Sequence, residues 1–142
     1  MTTMNEAAWA LDVRLQADTV PVVDLALCAV LLNDDANYPW LILVPRRPNA
    51  VEIIDLGEAD RVQLMAEIGQ TSRSLKAVTR CHKLNVAALG NQVAQLHVHV
   101  IARETTDPAW PNPVWGKAAR KTYQAAERER LVAALRGAIT KK

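Results

Sequence analysis

The sequence predicts an α+β fold: a mostly antiparallel sheet with one long helix packed on a face and a second helix at the C-terminus. Three observations carry this. Two apolar runs, 24–32 and 39–44, flank the turn-forming stretch NDDANY at 33–38 and read as a hairpin. Residues 58–79 place Leu64, Met65, Ile68, Leu75 and Val78 mainly at helical spacing, on one stripe. Two strand-like stretches, 84–89 and 95–103, are joined through Gly90-Asn91-Gln92. That link is too short for the crossover helix that parallel neighbours need, so these strands pair antiparallel.

The chain has 142 residues, the size of one ordinary domain, and 1–142 is expected to form a single unit. Half of the residues are apolar and 23% are charged, as in a soluble globular protein. A net charge of +2 gives no reason to expect nucleic acid or a membrane as partner. Basic residues do outnumber acidic ones over 117–142, which reads first as a solvated helix face and second as a rim that attracts phosphate. Two cysteines without a Cys-x-x-Cys spacing suggest no disulfide framework and suit a reducing cytoplasm. The N-terminus lacks a basic stretch followed by an apolar one, and no apolar run approaches about 18 residues. Neither a signal peptide nor a membrane-spanning helix is therefore expected.

Taken in order, residues 1–20 are weakly patterned. Trp9, Leu11, Val13 and Leu15 suit a short helix or a strand, and Thr19-Val20-Pro21 breaks either one. The runs 24–32 and 39–44 are almost wholly apolar, so both faces of these strands should be covered. Cys28, inside the first run, reads as a small core residue. Pro45-Arg46-Arg47-Pro48 stops the second strand. In the helix over 58–79, Glu58 and Asp60 sit in the first turn, where carboxylates favour the helix dipole, and Met65 reads as core filler. The stretch 107–116, DPAWPNPVWG, holds three prolines and two tryptophans and must be a rigid loop. Residues 117–139 close the chain as a helix that buries Tyr123, Leu131, Val132 and Leu135.

The chemistry concentrates in QLHVHVIAR, 95–103, which contains two of the three histidines. On a strand, Gln95, His97 and His99 form one row, roughly 6.5 Å apart, with Leu96, Val98 and Val100 behind them. A single strand histidine is usually a half-exposed residue with one hydrogen bond. Two at i and i+2 suit either a pair of metal ligands or a nucleophile beside a phosphate binder.

QLHVHVIAR resembles the signature of the histidine triad (HIT) superfamily of nucleotide hydrolases and transferases: His, apolar, His, apolar, His and two apolar residues, often followed by Pro-Arg. His97 and His99 match the middle and last histidines, Val100 and Ile101 the apolar tail, and Arg103 the arginine. Gln95 replaces the first histidine and Ala102 the proline. The related hexose-1-phosphate uridylyltransferases also carry Gln within their variant of the motif. The first hairpin and its Pro45–Pro48 turn are similar to the family's as well.

The resemblance implies a HIT-like five-stranded sheet, a homodimer, no obligatory metal or other cofactor, and a nucleotide as small-molecule substrate. It makes His97 the nucleophile on an α-phosphorus, with a nucleotidyl-imidazole intermediate that water opens. The backbone carbonyl of residue 95 would hold the other nitrogen of His97, a role that survives replacement of the side chain. His99 would contact a phosphoryl oxygen. Gln95 can donate a hydrogen bond but is no general acid, so leaving groups that need protonation should be poor. Asn33, Asn91, Gln92 and Arg103 are the expected nucleotide- and phosphate-binding residues. Gln92 stands where related proteins place a Ser or Thr that helps the leaving group. Asn33 reads equally as a plain turn residue. Trp110 or Trp115 could cover a base, pack on a second subunit, or simply cap the core. Two other readings remain open: a nucleotide-binding protein that has lost its chemistry with the first histidine, and a metal site in which His82 joins His97 and His99.

Overall fold

The computed structural model describes residues 8–141 of the chain. Part of the weakly patterned N-terminal stretch, 1–7, lies outside them. Five strands form one antiparallel sheet: β1 (Thr19–Asp24), β2 (Cys28–Asn33), β3 (Trp40–Pro45), β4 (Lys83–Ala87) and β5 (Val98–Arg103). Their spatial order is β1-β2-β3-β5-β4, which leaves β1 and β4 at the edges. A short helix α1 (Val13–Asp18) precedes β1, a long helix α2 (Glu58–Thr79) links β3 to β4, and α3 (Ala125–Thr140) ends the chain.

β2, β3 and β5 are buried along their whole lengths. That is what nearly unbroken apolar runs require, and each face has its own cover. On one face Leu32, Leu41, Leu43, Val98 and Val100 pack with Leu64 and Leu75 of α2 and Leu135 and Ile139 of α3. On the other, Leu31, Trp40, Ile42 and Ile101 pack with Leu15 of α1 and with Ala109 and Val114 of the proline-rich loop. Strand alternation assigns His99, between Val98 and Val100, to this second face.

The β1–β2 turn is closed from the helix side. The carboxylate of Glu67, 1% exposed, accepts the backbone N–H groups of Leu27 and Cys28 and the side-chain amide of Gln63. Burial, and then the Glu67 charge, push the Cys28 thiol far up, so it stays a neutral core residue.

One local expectation is met and two are corrected. Thr19-Val20-Pro21 ends α1, with Thr19 as its extended C-cap, and at the same point begins β1. The strand lies at the sheet edge and shifts register between Pro21 and Val23, where a missing N–H is tolerated. The C-terminal helix starts at Ala125 rather than at 117, and 117–124 runs as irregular backbone along the sheet. Met65 is no core filler: it is 68% exposed, beside Val62 at 67%. The α2 stripe that meets the sheet runs instead through Leu64, Ile68, Leu75 and Val78, with Thr71 and Ser74 among them.

Candidate functional site

β5 delivers the two histidines to one place because it is an inner strand, paired with β3 and β4. Ile42 stands opposite His99 on one side and Ala87 on the other. His97 lies just ahead of the strand, and the two rings are 4.8 Å apart at 73°. Both residues are 6% exposed.

Each ring has one nitrogen engaged, by partners of opposite kind. Nδ1 of His97 is 2.6 Å from the carbonyl oxygen of Gln95. A carbonyl only accepts, so Nδ1 carries the proton and Nε2 keeps a free lone pair. Nδ1 of His99 is 3.0 Å from the indole Nε1 of Trp40. Indole only donates, so Nδ1 of His99 accepts and Nε2 carries the proton. Side by side stand one imidazole ready to attack and one ready to donate. Burial, and secondarily the neighbouring His97, lower the His99 pKa to about 3. His99 is thus a neutral donor across the ordinary pH range.

The rings open into a cleft of about 380 Å³ on the second face of the sheet. Asn33 at the end of β2 and Asn91 and Gln92 from the β4–β5 connection line it with His97 and His99. Trp40 and Trp115 form aromatic wall: Trp115 meets Trp40 edge-on at 5.6 Å and His99 at 5.1 Å. Gly90, in the cleft wall, has φ +77°, a backbone that side-chain-bearing residues rarely adopt.

Arg120 also lines the cleft, and nothing in its local sequence marked it out. Its guanidinium donates to the backbone oxygen of Asp34 at 3.0 Å and to Asn33 Oδ1 at 3.4 Å, and lies 3.7 Å from the Asp18 carboxylate. These bonds turn the Asn33 carbonyl oxygen toward Arg120. The only hint in the sequence was the basic excess over 117–142, which reads as a helix face until 117–124 is seen to be irregular.

Two expected site residues stand elsewhere. Gln95 is not on the strand, and its side chain does not line the cleft. Its amide accepts from the Asp12 N–H and donates to the Ala10 carbonyl, both at 2.9 Å. Trp9 and Leu11 of this segment pack against the second core cluster, and the two-handed amide satisfies one donor and one acceptor of its backbone. Arg14 adds a bond to the Gln92 carbonyl at 2.8 Å. Arg103 is corrected too: its side chain is 2% exposed and fully engaged within the protein. It forms a two-pronged pair with Asp107, donates to Asn85 Oδ1 and to the Asn112 carbonyl, and lies over the rings of Tyr38 and Trp110. It braces the proline-rich loop instead of facing a ligand. Trp110 belongs to this brace, and His82 meets it edge-on at 5.4 Å rather than joining the histidine pair. Among the described residues no group of three or more His, Cys, Asp or Glu is arranged to hold a metal ion.

Residues 14–106 match the HIT domain family, and the chain belongs to that family. A histidine triad protein from Bradyrhizobium japonicum shares 57% identity over 94% of this chain and 99% of its own, with a TM-score of 0.92. One from Sinorhizobium meliloti is 42% identical over 89% and 94%, TM-score 0.88. One from Marinobacter aquaeolei is 40% identical over 94% and 97%, TM-score 0.91. No curated protein matches. No described helix is long and apolar enough to cross a membrane.

Proposed function

We propose that this chain is a nucleotide hydrolase or transferase of HIT type, acting on the α-phosphate of a nucleoside phosphoramidate, a dinucleoside polyphosphate or a related activated nucleotide. The supporting observation is the pair of opposite tautomers. Nε2 of His97 attacks phosphorus in line, the bond to the leaving group breaks, and that group departs with the electron pair. The charge that develops on the His97 ring is held against the Gln95 carbonyl. Nε2–H of His99 donates to a phosphoryl oxygen that gains charge in the transition state. Water then attacks the nucleotidyl-His97, the P–N bond returns its pair to Nε2, and a nucleoside monophosphate leaves. Asn33, Asn91 and Gln92 supply hydrogen bonds around the ligand, and Arg120 supplies a positive charge.

The experiment is short incubation with an adenosine phosphoramidate, a dinucleoside polyphosphate and an acyl adenylate, read by AMP release and by intact mass without acid quench. Release that vanishes in His97→Ala supports the hydrolase. Binding of AMP without release from any of the three supports a nucleotide binder that has lost its chemistry, the reading favoured by the diversion of Gln95 to the N-terminal segment.

The same reading makes the protein a homodimer. Its support is the open edge of β4 and the exposed apolar side chains of Val62, Met65 and Val86. A sedimentation experiment decides: a dimer mass that a charge at Met65 abolishes is expected. Two buried free cysteines fit a reducing, cytoplasmic setting.

A further inference from the structure

We propose that the N-terminal segment 9–18 is a movable wall of the histidine cleft, a strap that opens to admit and release ligand, and that the Gln95 side chain is its latch. The proposal concerns access to the site described above and rests on the reading that this cleft takes a nucleotide. Leu15 and Asp18 of α1 line the cleft together with residues 89–93 of the β4–β5 connection. Three side-chain bonds tie these two segments to each other. The Gln95 amide holds the Asp12 N–H and the Ala10 carbonyl, each at 2.9 Å, and Arg14 donates to the Gln92 carbonyl at 2.8 Å. The cleft they enclose, about 380 Å³, lies near the lower end of the range for ligand pockets, about 300–1,000 Å³. A ligand bound for the two buried histidines gains room when one wall gives.

The strap is the wall that gives. The β4–β5 connection is anchored in the helix-side core by Leu96, whose N–H donates to the Ala50 carbonyl at 2.9 Å. α1 has six residues, well short of the roughly 12–15 that a helix needs to persist alone, and of them Leu15 is buried. Its C-terminal end is fixed: Asp18 runs into β1, where Thr19 pairs with Asn33, and Arg120 donates to the Asp18 carbonyl at 3.3 Å. Its other end hangs on Gln95 and on Arg14, whose side chain is 59% exposed. The Trp9 indole N–H is buried and finds no partner among the described residues. Opening gives that group water and offsets part of what the latch bonds contribute. A segment with one buried side chain and a few solvent-facing bonds opens without the rest of the fold.

The latch also gives a physical reason for an amide at position 95. Gln carries a donor and an acceptor side by side on one planar group, and so takes both backbone partners of the strap. The two nitrogens of an imidazole point apart, and a ring at this position could serve only one. The carbonyl of residue 95 holds Nδ1 of His97, so one residue touches both the nucleophile and the gate.

The test combines amide exchange with stopped-flow binding of AMP in the native protein, Gln95→Ala and Arg14→Ala. The Gln16 N–H donates to the Asp12 carbonyl at 2.9 Å and reports on the strap. In the native protein it should exchange about a hundredfold faster than the amides of β5, through an opening that leaves the sheet intact. Gln95→Ala raises its exchange about tenfold further and Arg14→Ala about threefold, two bonds against one. The latch bonds are the same with and without ligand, so the on-rate and off-rate of AMP rise together by these factors and Kd holds within about twofold. A fixed wall behaves differently, since its loss raises the off-rate and leaves the on-rate alone. That pattern overturns the proposal, as does Gln16 exchange as slow as that of β5 or unchanged in both variants. If Gln95→Ala does not fold, Arg14→Ala carries the same test from an exposed position. If the native protein does not bind AMP, the nucleotide reading fails, and the Gln16 exchange rates alone support or overturn the strap.

Discussion

The indole N–H of Trp40 donates to Nδ1 of His99 across 3.0 Å, and that bond decides what His99 can offer a ligand. Without it either nitrogen could carry the proton. With it, the proton is confined to Nε2. Trp40→Phe keeps an aromatic ring against His99 and removes the donor. It is expected to cost about tenfold in kcat, below the loss for removing a direct oxyanion donor, because His99 remains and only its tautomer is freed. Nitrogen-15 shifts of the His99 ring check the cause: a single Nε2–H form in the native protein and a mixture in Trp40→Phe.

The lowered His99 pKa has a consequence for stability. The folded protein holds His99 neutral to about pH 3, whereas the unfolded chain protonates it near its model value of 6.5. Below about pH 6.5 the unfolded state binds the extra proton, so stability falls as the pH drops and keeps falling until about 3. One such group gives a slope of about 1.4 kcal/mol per pH unit within that window. Urea unfolding at pH 7, 6, 5 and 4 should show a shallower decline in His99→Gln than in the native chain.

The Arg103–Asp107 pair makes a separate prediction. Burial alone would raise the Asp107 carboxyl, but the Arg103 guanidinium and the backbone N–H groups of Glu104, Ala109 and Trp110 hold it below the ordinary range. Its stabilisation is present at neutral pH and is lost as the pH falls through the carboxylate range. Asp107→Ala strands a buried guanidinium and should cost about 3–5 kcal/mol by denaturant unfolding. Arg103→Met with Asp107→Leu removes both charges but should recover only a small part of that loss, because the N–H groups of Glu104, Ala109 and Trp110 then lose their acceptor.

Gln95 is expected to act on stability more than on chemistry. Gln95→Ala removes two hydrogen bonds to the backbone of Ala10 and Asp12 and should cost about 1–2 kcal/mol. The carbonyl that holds His97 remains, so the variant should keep His97-dependent AMP release. A variant as stable as the native chain, yet inactive, would instead place the amide in the reaction.

What the sequence made legible follows from how local each signal is. The 22 residues of α2 carry their own periodicity and first-turn carboxylates, and both ends fall where read. β2 and β3 are apolar enough to announce burial on both faces. His97 and His99 stand out because two imidazoles two residues apart have few bland explanations. The misread features depend on partners far along the chain. Pro21 marks the end of α1 as read, but that the same residues begin an edge strand shows only in the fold, where its missing N–H costs nothing in pairing. Gln95 reads as a strand residue facing a ligand because its partners, Ala10 and Asp12, are more than eighty residues away. Arg103 matches the signature, and only the fold reveals that Asp107 and Trp110 already occupy it. Arg120 enters the cleft from irregular backbone, for which no periodicity exists. Met65 follows the helical stripe in sequence, yet it sits at the margin of the face that meets the sheet.

The most direct measurement is AMP release from an activated adenylate by the native protein and by His97→Ala, with intact mass recorded within the first turnover. The account predicts release by the native protein, a transient species heavier by one nucleotidyl group, and neither in the variant. Equal release by both proteins, or a nucleotidyl group carried on another residue, would contradict it.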